Sequence, residues 1–210
     1  MDRFTRLTAV AVPIDMDNVD NDQVFPARLM RKSRRDGGYG RWLFHDLRFN
    51  EDGGETPDFV LNRSAYRKAK IIVAAHNYAC GSSRIGAVYT HYDYGIRVVV
   101  ATSFGDVFFN NCFKNGILPV RLPSETTAAL RKQLHQEPGA TLTVDLEQQL
   151  VTDVAGIAHP FEVDSFGKRC LLEGLSDIAL TLERERDIAA FEARHRRAFH
   201  WLSSEQGEQA

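Results

Sequence analysis

From residue 71 onward, three short β-branched runs are separated by two helical patterns, and that alternation restricts the possible folds more than any other feature of the chain. "IIVAA" (71–75) and "IRVVVA" (96–101) lack the apolar–polar alternation of a half-exposed strand. Both faces of such strands must be covered. Between them Ile85, Val88, Tyr89 and Tyr92 fall at i, i+3, i+4 and i+7. That spacing predicts a helix over Ile85–Asp93 with one apolar face, and Gly95 is placed to cap its end. "SFGDVFFNNCFKNG" predicts a second helix with Asp106 in its first turn, Lys114 in its last and Gly116 after it. "ILPVRL" supplies a third strand. Short connections between these elements imply a βαβαβ unit with a largely parallel core.

The flanking segments are less regular. "LTAVAV" (7–12) is a β-favouring run that Pro13 is expected to close. "RKSRRDGGYG" (31–40) is basic and then glycine-rich, with too little apolar surface to pack, so an open, mobile loop is expected over Lys32–Gly40. "NEDGGETPD" (50–58) is a second loop, and a helical turn is expected at Tyr66–Ala69. After Leu122, "SETTAALRKQLHQ" reads as an amphipathic helix. "ATLTVDLEQQLVTDVAGIAHPFEV" reads as a hairpin turning near Glu147–Gln149, and "DIALTLERERDIAAFEARHRRAF" as one or two helices. The chain is expected to form a single domain over 1–210, with 203–210 a frayed tail.

Composition removes several functional classes. A formal charge of −2 provides no field for nucleic acid or an anionic membrane. The first apolar run, about eight residues long and followed at once by acids, is too short to span a membrane and unlike a signal peptide. A cytosolic location is expected. Cys80, Cys112 and Cys170 match no metal-clip spacing. They read as small buried hydrophobes, although three thiolates could hold a cubane cluster if the fold gathered them.

The chemistry concentrates at "CGSSR", where a strand run ends and a helix pattern begins. Free backbone N–H groups at the positive end of a helix dipole make such a place a ready anion site. Gly81 allows close approach to the backbone, Ser82 and Ser83 can donate to a bound oxygen, and Arg84 can grip a carboxylate at two points. A small anion is the implied ligand. Taken alone, these four residues are described more simply as a helix cap with a solvated arginine. There is no GxxxxGK[ST] or GxGxxG, and Ile85 stands where a GxSxG elbow needs glycine.

"NYACGSSR", followed by "DYGIRVVVATSFGDVFFNNCFKNGILPV" and preceded by "NVDNDQVFPARL", resembles the small subunit of 3-isopropylmalate dehydratase, a relative of the aconitase swivelling domain. "LFHDLRF", "PDFVLN" and "FEVDSFGKRCLLEGLSDIALTL" extend the likeness over nearly the whole chain. The resemblance implies a three-layer β/β/α swivelling domain with the βαβαβ core inside it. It implies isomerisation of 2-isopropylmalate to 3-isopropylmalate through isopropylmaleate, in leucine biosynthesis. By the same resemblance Ser82 is the base, working as an alkoxide, and Ser83 and Arg84 bind substrate carboxylates. Asp22 of "DNDQ" matches an active-site carboxylate, and Arg35, or by register Arg34, is the selectivity arginine of the following loop. Abstracting a carbon-bound proton beside a carboxylate builds negative charge that fixed positive groups must meet, in keeping with these roles. The family's [4Fe–4S] cofactor is carried by three cysteines of a separate large subunit, whose open iron acts as a Lewis acid on the leaving hydroxyl. This chain is therefore expected to bind no cluster and to be active only with that partner.

Where the family usually has "GSSREHA", this chain has "GSSRIGA". Ile85 and Gly86 remove a charge and a titratable ring next to Arg84, and a glycine in a helix costs roughly 1 kcal/mol relative to alanine. Three accounts of the exchange stand at this level. The pair is dispensable; the substrate is another 2-hydroxy diacid such as a methylmalate; or the chain is a divergent, regulatory or assembly subunit.

Overall fold

The computed structural model describes residues 1–82 and 84–202; Ser83 and the expected tail 203–210 lie outside the described residues. The chain, read from its sequence as one domain, divides by its contacts into Met1–Gly174 and Leu175–Ala210.

In the first unit the elements run β1 (Arg6–Ile14), α1 (Asn21–Val24), α2 (His45–Arg48), β2 (Ile71–Ala74), α3 (Ile85–Tyr94), β3 (Val98–Ala101) and α4 (Asp106–Lys114). They continue with β4 (Leu118–Arg121), α5 (Ser124–Gln136), β5 (Thr141–Asp145), β6 (Leu150–Thr152), β7 (Ala158–Pro160) and α6 (Ser165–Glu173). Among the described residues the strands form a seven-stranded mixed sheet in the order β4-β3-β2-β1-β5-β6-β7. Strands β1 to β4 are parallel, and β5 to β7 continue antiparallel from the other edge of β1. The expected βαβαβ core is present as β2–α3–β3–α4–β4.

The register explains why the central strands are apolar throughout. Ala11, Ile71, Val98 and Leu118 form one row across four strands, and all four side chains lie in the core beneath α5. The next row, Val12, Ile72 and Val99, belongs to the opposite core with Ala87 and Val88 of α3. Every residue of β2 and β3 is buried because both faces are covered.

Several expectations are corrected. Strand β1 does not stop before Pro13 but runs to Ile14. The Ala11 amide points toward β5, bonding Ala140 O, so the Pro13 nitrogen two residues on points to the same side. Pairing with β5 has ended by then, at Val10, so no ladder bond is lost. The expected hairpin is a three-stranded meander, since β7 adds to β6. The helical turn expected at Tyr66–Ala69 is present, the Ala69 amide donating to Tyr66 O at 2.9 Å, and a 3-10 turn at Ser64–Tyr66 leads into it. Helix α3 buries Gly86, Ala87, Val88, Thr90 and His91; of the expected Ile85/Val88/Tyr89/Tyr92 stripe only Val88 is fully buried, and Ile85 is exposed. The tyrosines instead serve the rim, Tyr89 under the Arg34 guanidinium and Tyr92 under that of Arg97.

The 31–40 loop also has more to pack on than its composition implies. Arg34 makes a two-point pair with Asp93, at 2.8 and 2.6 Å, and lies 4.0 Å above the Tyr89 ring. The Tyr39 amide donates to the same carboxylate at 2.8 Å, and Gly40 is buried against the Asp93–Tyr94 backbone. Asp93 lies 59 residues from Arg34 in sequence, so no local pattern announces the anchor.

In the second unit the 177–199 stretch resolves into two helices, α7 (Asp177–Leu182) and α8 (Glu185–Ala198). Ser176 caps the first by accepting from the Ala179 amide at 3.3 Å. Among the described residues no helix is long and apolar enough to cross a membrane.

Gly86 has a packing reason. A Cβ built on it would lie 2.6 Å from the Phe25 ring, which fills the room beside the helix. Gly86→Ala should therefore lower the melting temperature, its gain in helix propensity being outweighed by an overpacking cost of about 1–3 kcal/mol. Adding Phe25→Leu should recover the loss, whereas a single mutant that melts above wild type would remove Phe25 as the cause.

Candidate active site

Three loops leave the carboxyl ends of β1, β2 and β3 side by side, where open α/β sheets place their ligands. Beyond the strands they stay paired through two isolated bridges, Asp20 with Cys80 and Tyr78 with Phe104. The Cys80 amide donates to Val19 O and the Asn21 amide to Cys80 O, both at 2.9 Å. The buried Asn21 side chain adds bonds to Ala79 O and Cys80 O at 2.8 and 2.9 Å. The turn before α3 is thus laced to the loop after β1.

That turn is backbone-strained. Asn77, Ala79 and Gly81 sit at φ 56°, 54° and 74°, in the left-handed region that side chains disfavour. A side chain at Gly81 is disfavoured by its positive φ, and a Cβ there would displace the Asp20 carboxylate. Asp20 in turn caps α1, accepting from the Asp22 amide, while its own amide bonds Gln23. "DNDQ" is therefore a capping box as well as a site motif.

The structure brings Asp22, Gly81 and Arg84 together. Arg84 holds the cap position of α3 with extended backbone and no side-chain cap, and its guanidinium pairs with the Asp22 carboxylate. The hydrogen bond from Arg84 holds Asp22 below its usual carboxylate value, so it is ionised at neutral pH. Asp22 also accepts from the Ala27 amide at 3.0 Å. Ser82 is exposed on the turn two residues before Arg84, and among the described residues its hydroxyl has no hydrogen-bond partner. It does not cap the helix, so the bland role open to it from sequence is not the one it plays. Among the described residues the first amides of α3, Ile85 and Gly86, have no backbone acceptor. Ser83, the other hydroxyl of the motif, lies outside the described residues.

The two loop arginines separate. Arg34 is committed to Asp93, nine residues after Arg84 along α3, or about 13 Å at 1.5 Å per residue. Partial burial raises the Asp93 carboxyl, but the bonds from Arg34 and the Tyr39 amide outweigh that and leave it below its usual value. Arg35 is exposed, and among the described residues its guanidinium has no partner.

The donor set does not suit an iron–sulfur cluster. Cys112 and Cys170 are buried, Cys80 is half-buried on the turn, and burial pushes the Cys112 thiol well up. Among the described residues no three His, Cys, Asp or Glu side chains gather as a metal site. Sequence reasoning missed Asn21, Asp93, and the Tyr78–His91 pair behind the turn. Asn21 sits inside a run that reads as an ordinary turn, and only its burial gives it away.

Comparison with known proteins bears on what this constellation serves. Residues 1–125 match the family model of the aconitase C-terminal domain, and 128–165 match the model described as LeuD_N. Residues 177–204 match the model for the C-terminal domain of the 3-isopropylmalate dehydratase small subunit. The chain is 50% identical over 202 residues to the 3-isopropylmalate dehydratase small subunit of Paramagnetospirillum magneticum, covering 96% of this chain and 100% of that one. Against the same-named protein of Roseobacter denitrificans identity is 49% with the same coverage. Against that of Brucella melitensis it is 47%, again over 96% and 100%. In fold it is similar to the crystal structure of 3-isopropylmalate dehydratase (leuD) from Methanocaldococcus jannaschii, with TM-score 0.64, 21% identity, and coverage of 88% of this chain and 98% of that one. A swivelling-type sheet, a Gly-Ser-Ser-Arg turn at its carboxyl edge, and identity near one half along the full length of such subunits place this chain in the 3-isopropylmalate dehydratase small-subunit family of the aconitase superfamily.

Proposed function

We propose that this chain is the small subunit of a 3-isopropylmalate dehydratase acting in leucine biosynthesis in the cytosol, with Ser82 as the base that moves the carbon-bound proton. The observation that carries the assignment is the Ser82 turn itself. It is strained and laced at its back to the β1 loop, yet it exposes Ser82, whose hydroxyl has no partner among the described residues, two residues before an arginine held by Asp22. That relatives matched over their full length are 3-isopropylmalate dehydratase small subunits supports the substrate.

On this account Arg84 receives one substrate carboxylate through the guanidinium edge that Asp22 leaves free. The helix end and the Arg84 charge favour the alkoxide form of Ser82 and the negative charge that builds as the proton leaves carbon. Arg35, not Arg34, reaches the second carboxylate, since Arg34 is already engaged at the far end of α3. Ser83 adds a donor to the bound carboxylate. The [4Fe–4S] cluster belongs to the large subunit, without which this chain is inactive. Ile85, 45% exposed and directly after Arg84, favours a substrate with an apolar branch over an unbranched diacid.

Ser82→Ala, assembled with the large subunit, should lose about 10²–10⁴-fold in turnover while its melting temperature stays at the wild-type value. Near-normal turnover per assembled complex would return Ser82 to a structural role.

The arginines should part company in the same assay. Arg35→Ala should raise KM at unchanged melting temperature, whereas Arg34→Ala should lower the melting temperature and loosen the loop to proteolysis, because it strands the half-buried Asp93. A higher KM with unaltered stability in Arg34→Ala would reverse the assignment.

A further inference from the structure

Behind the Ser82 turn lies a buried polar pair that neither binds substrate nor meets solvent. The Tyr78 hydroxyl lies 2.7 Å from His91 Nε2, and His91 Nδ1 lies 2.6 Å from Ala87 O. Burial pushes the imidazole down to about 4, so it is neutral at pH 7 with a single N–H to give. The Ala87 carbonyl can only accept, which fixes Nδ1 as the donor to it and Nε2 as the acceptor from Tyr78. Phe44, Phe104 and Phe108 surround the tyrosine ring at centroid distances of 6.4, 6.4 and 5.8 Å.

The ends of this chain of bonds sit on either side of the site. Tyr78 precedes Ser82 by four residues, and Ala87 follows Arg84 by three. The Tyr78 backbone is already bound to the third loop, its amide to Ser103 O and its carbonyl to the Gly105 amide, both at 2.9 Å. Its hydroxyl is then free to set the distance from that fixed point to the first turn of α3. Phenylalanine and leucine would fill the same room without any polar atom, and replacing both partners of a buried bond in that way can be nearly neutral in stability. What the apolar pair could not supply is a directional tie across the turn.

We infer that Tyr78 and His91 are positioning residues: their hydrogen-bond chain to Ala87 O holds the turn bearing Ser82 and the helix bearing Arg84 in catalytic register. The inference rests on the assignment of Ser82 as base. Neither side chain touches substrate.

Tyr78→Phe, His91→Leu and the double variant, each assembled with the large subunit, provide the test. Each single variant strands a buried polar group and should melt lower. The double variant strands none and should melt near wild type, yet its kcat should stay down roughly tenfold or more with KM within about twofold, because small misplacements of reacting groups are costly. Recovery of kcat along with stability would make the pair a packing feature only and overturn the inference. Where the double variant does not fold, Tyr78→Phe decides: full kcat overturns, and a tenfold loss at unchanged KM upholds. Ser82→Ala run in parallel keeps the two claims apart. An inactive Ser82→Ala beside a full-speed double variant removes the positioning role alone, and an active Ser82→Ala removes the base itself.

Discussion

Pairing between loops past the ends of the parallel strands is the constraint on which the rest of the site depends. Asp20 with Cys80 and Tyr78 with Phe104 continue the sheet for one residue pair each beyond β1, β2 and β3. Buried Asn21 reinforces the first of them with two side-chain bonds. A turn that holds Asn77, Ala79 and Gly81 at positive φ would relax if it stood alone. Held from behind, it keeps Ser82 outward and delivers Arg84 to the mouth of α3.

Two arginine–carboxylate pairs then divide the labour along that helix. Asp22 pairs with Arg84 at the amino end, where the proposed account seats a substrate carboxylate. Asp93 captures Arg34 at the carboxyl end and with it the loop that carries Arg35. The same residue type is thus an anchor at one end and, on the proposed assignment, a ligand group at the other. The difference lies in how each guanidinium is held: Arg34 is stacked on Tyr89 and bonds Asp93 through Nε and one Nη, while among the described residues Arg84 reaches Asp22 through a single Nη.

Much of this was legible in the sequence. Unbroken apolar runs announced β2 and β3, helix spacing announced α3 to within one residue, and the Gly-Ser-Ser-Arg turn stood between them. What stayed hidden depends on partners distant in sequence. Arg34 looked like part of an open loop because Asp93 lies 59 residues away, and Gly86 looked like a flaw until Phe25 filled the space beside it. Periodicity also assigned the tyrosines of α3 to the core and overlooked His91, since a hydrophobicity pattern cannot know that a buried hydroxyl waits for an imidazole. The choice between Arg34 and Arg35 was undetermined by register for a related reason: two adjacent basic residues look alike until one of them has a partner.

The most direct measurement is a crystal structure of the assembled two-subunit enzyme with an unreactive alkyl-malate analogue bound. The expected result has one carboxylate on Arg84, the other on Arg35, and the Ser82 oxygen within contact of the carbon whose proton is lost, with Arg34 still on Asp93. An analogue seated with Ser82 facing solvent, or held by Arg34 in place of Arg35, would contradict it.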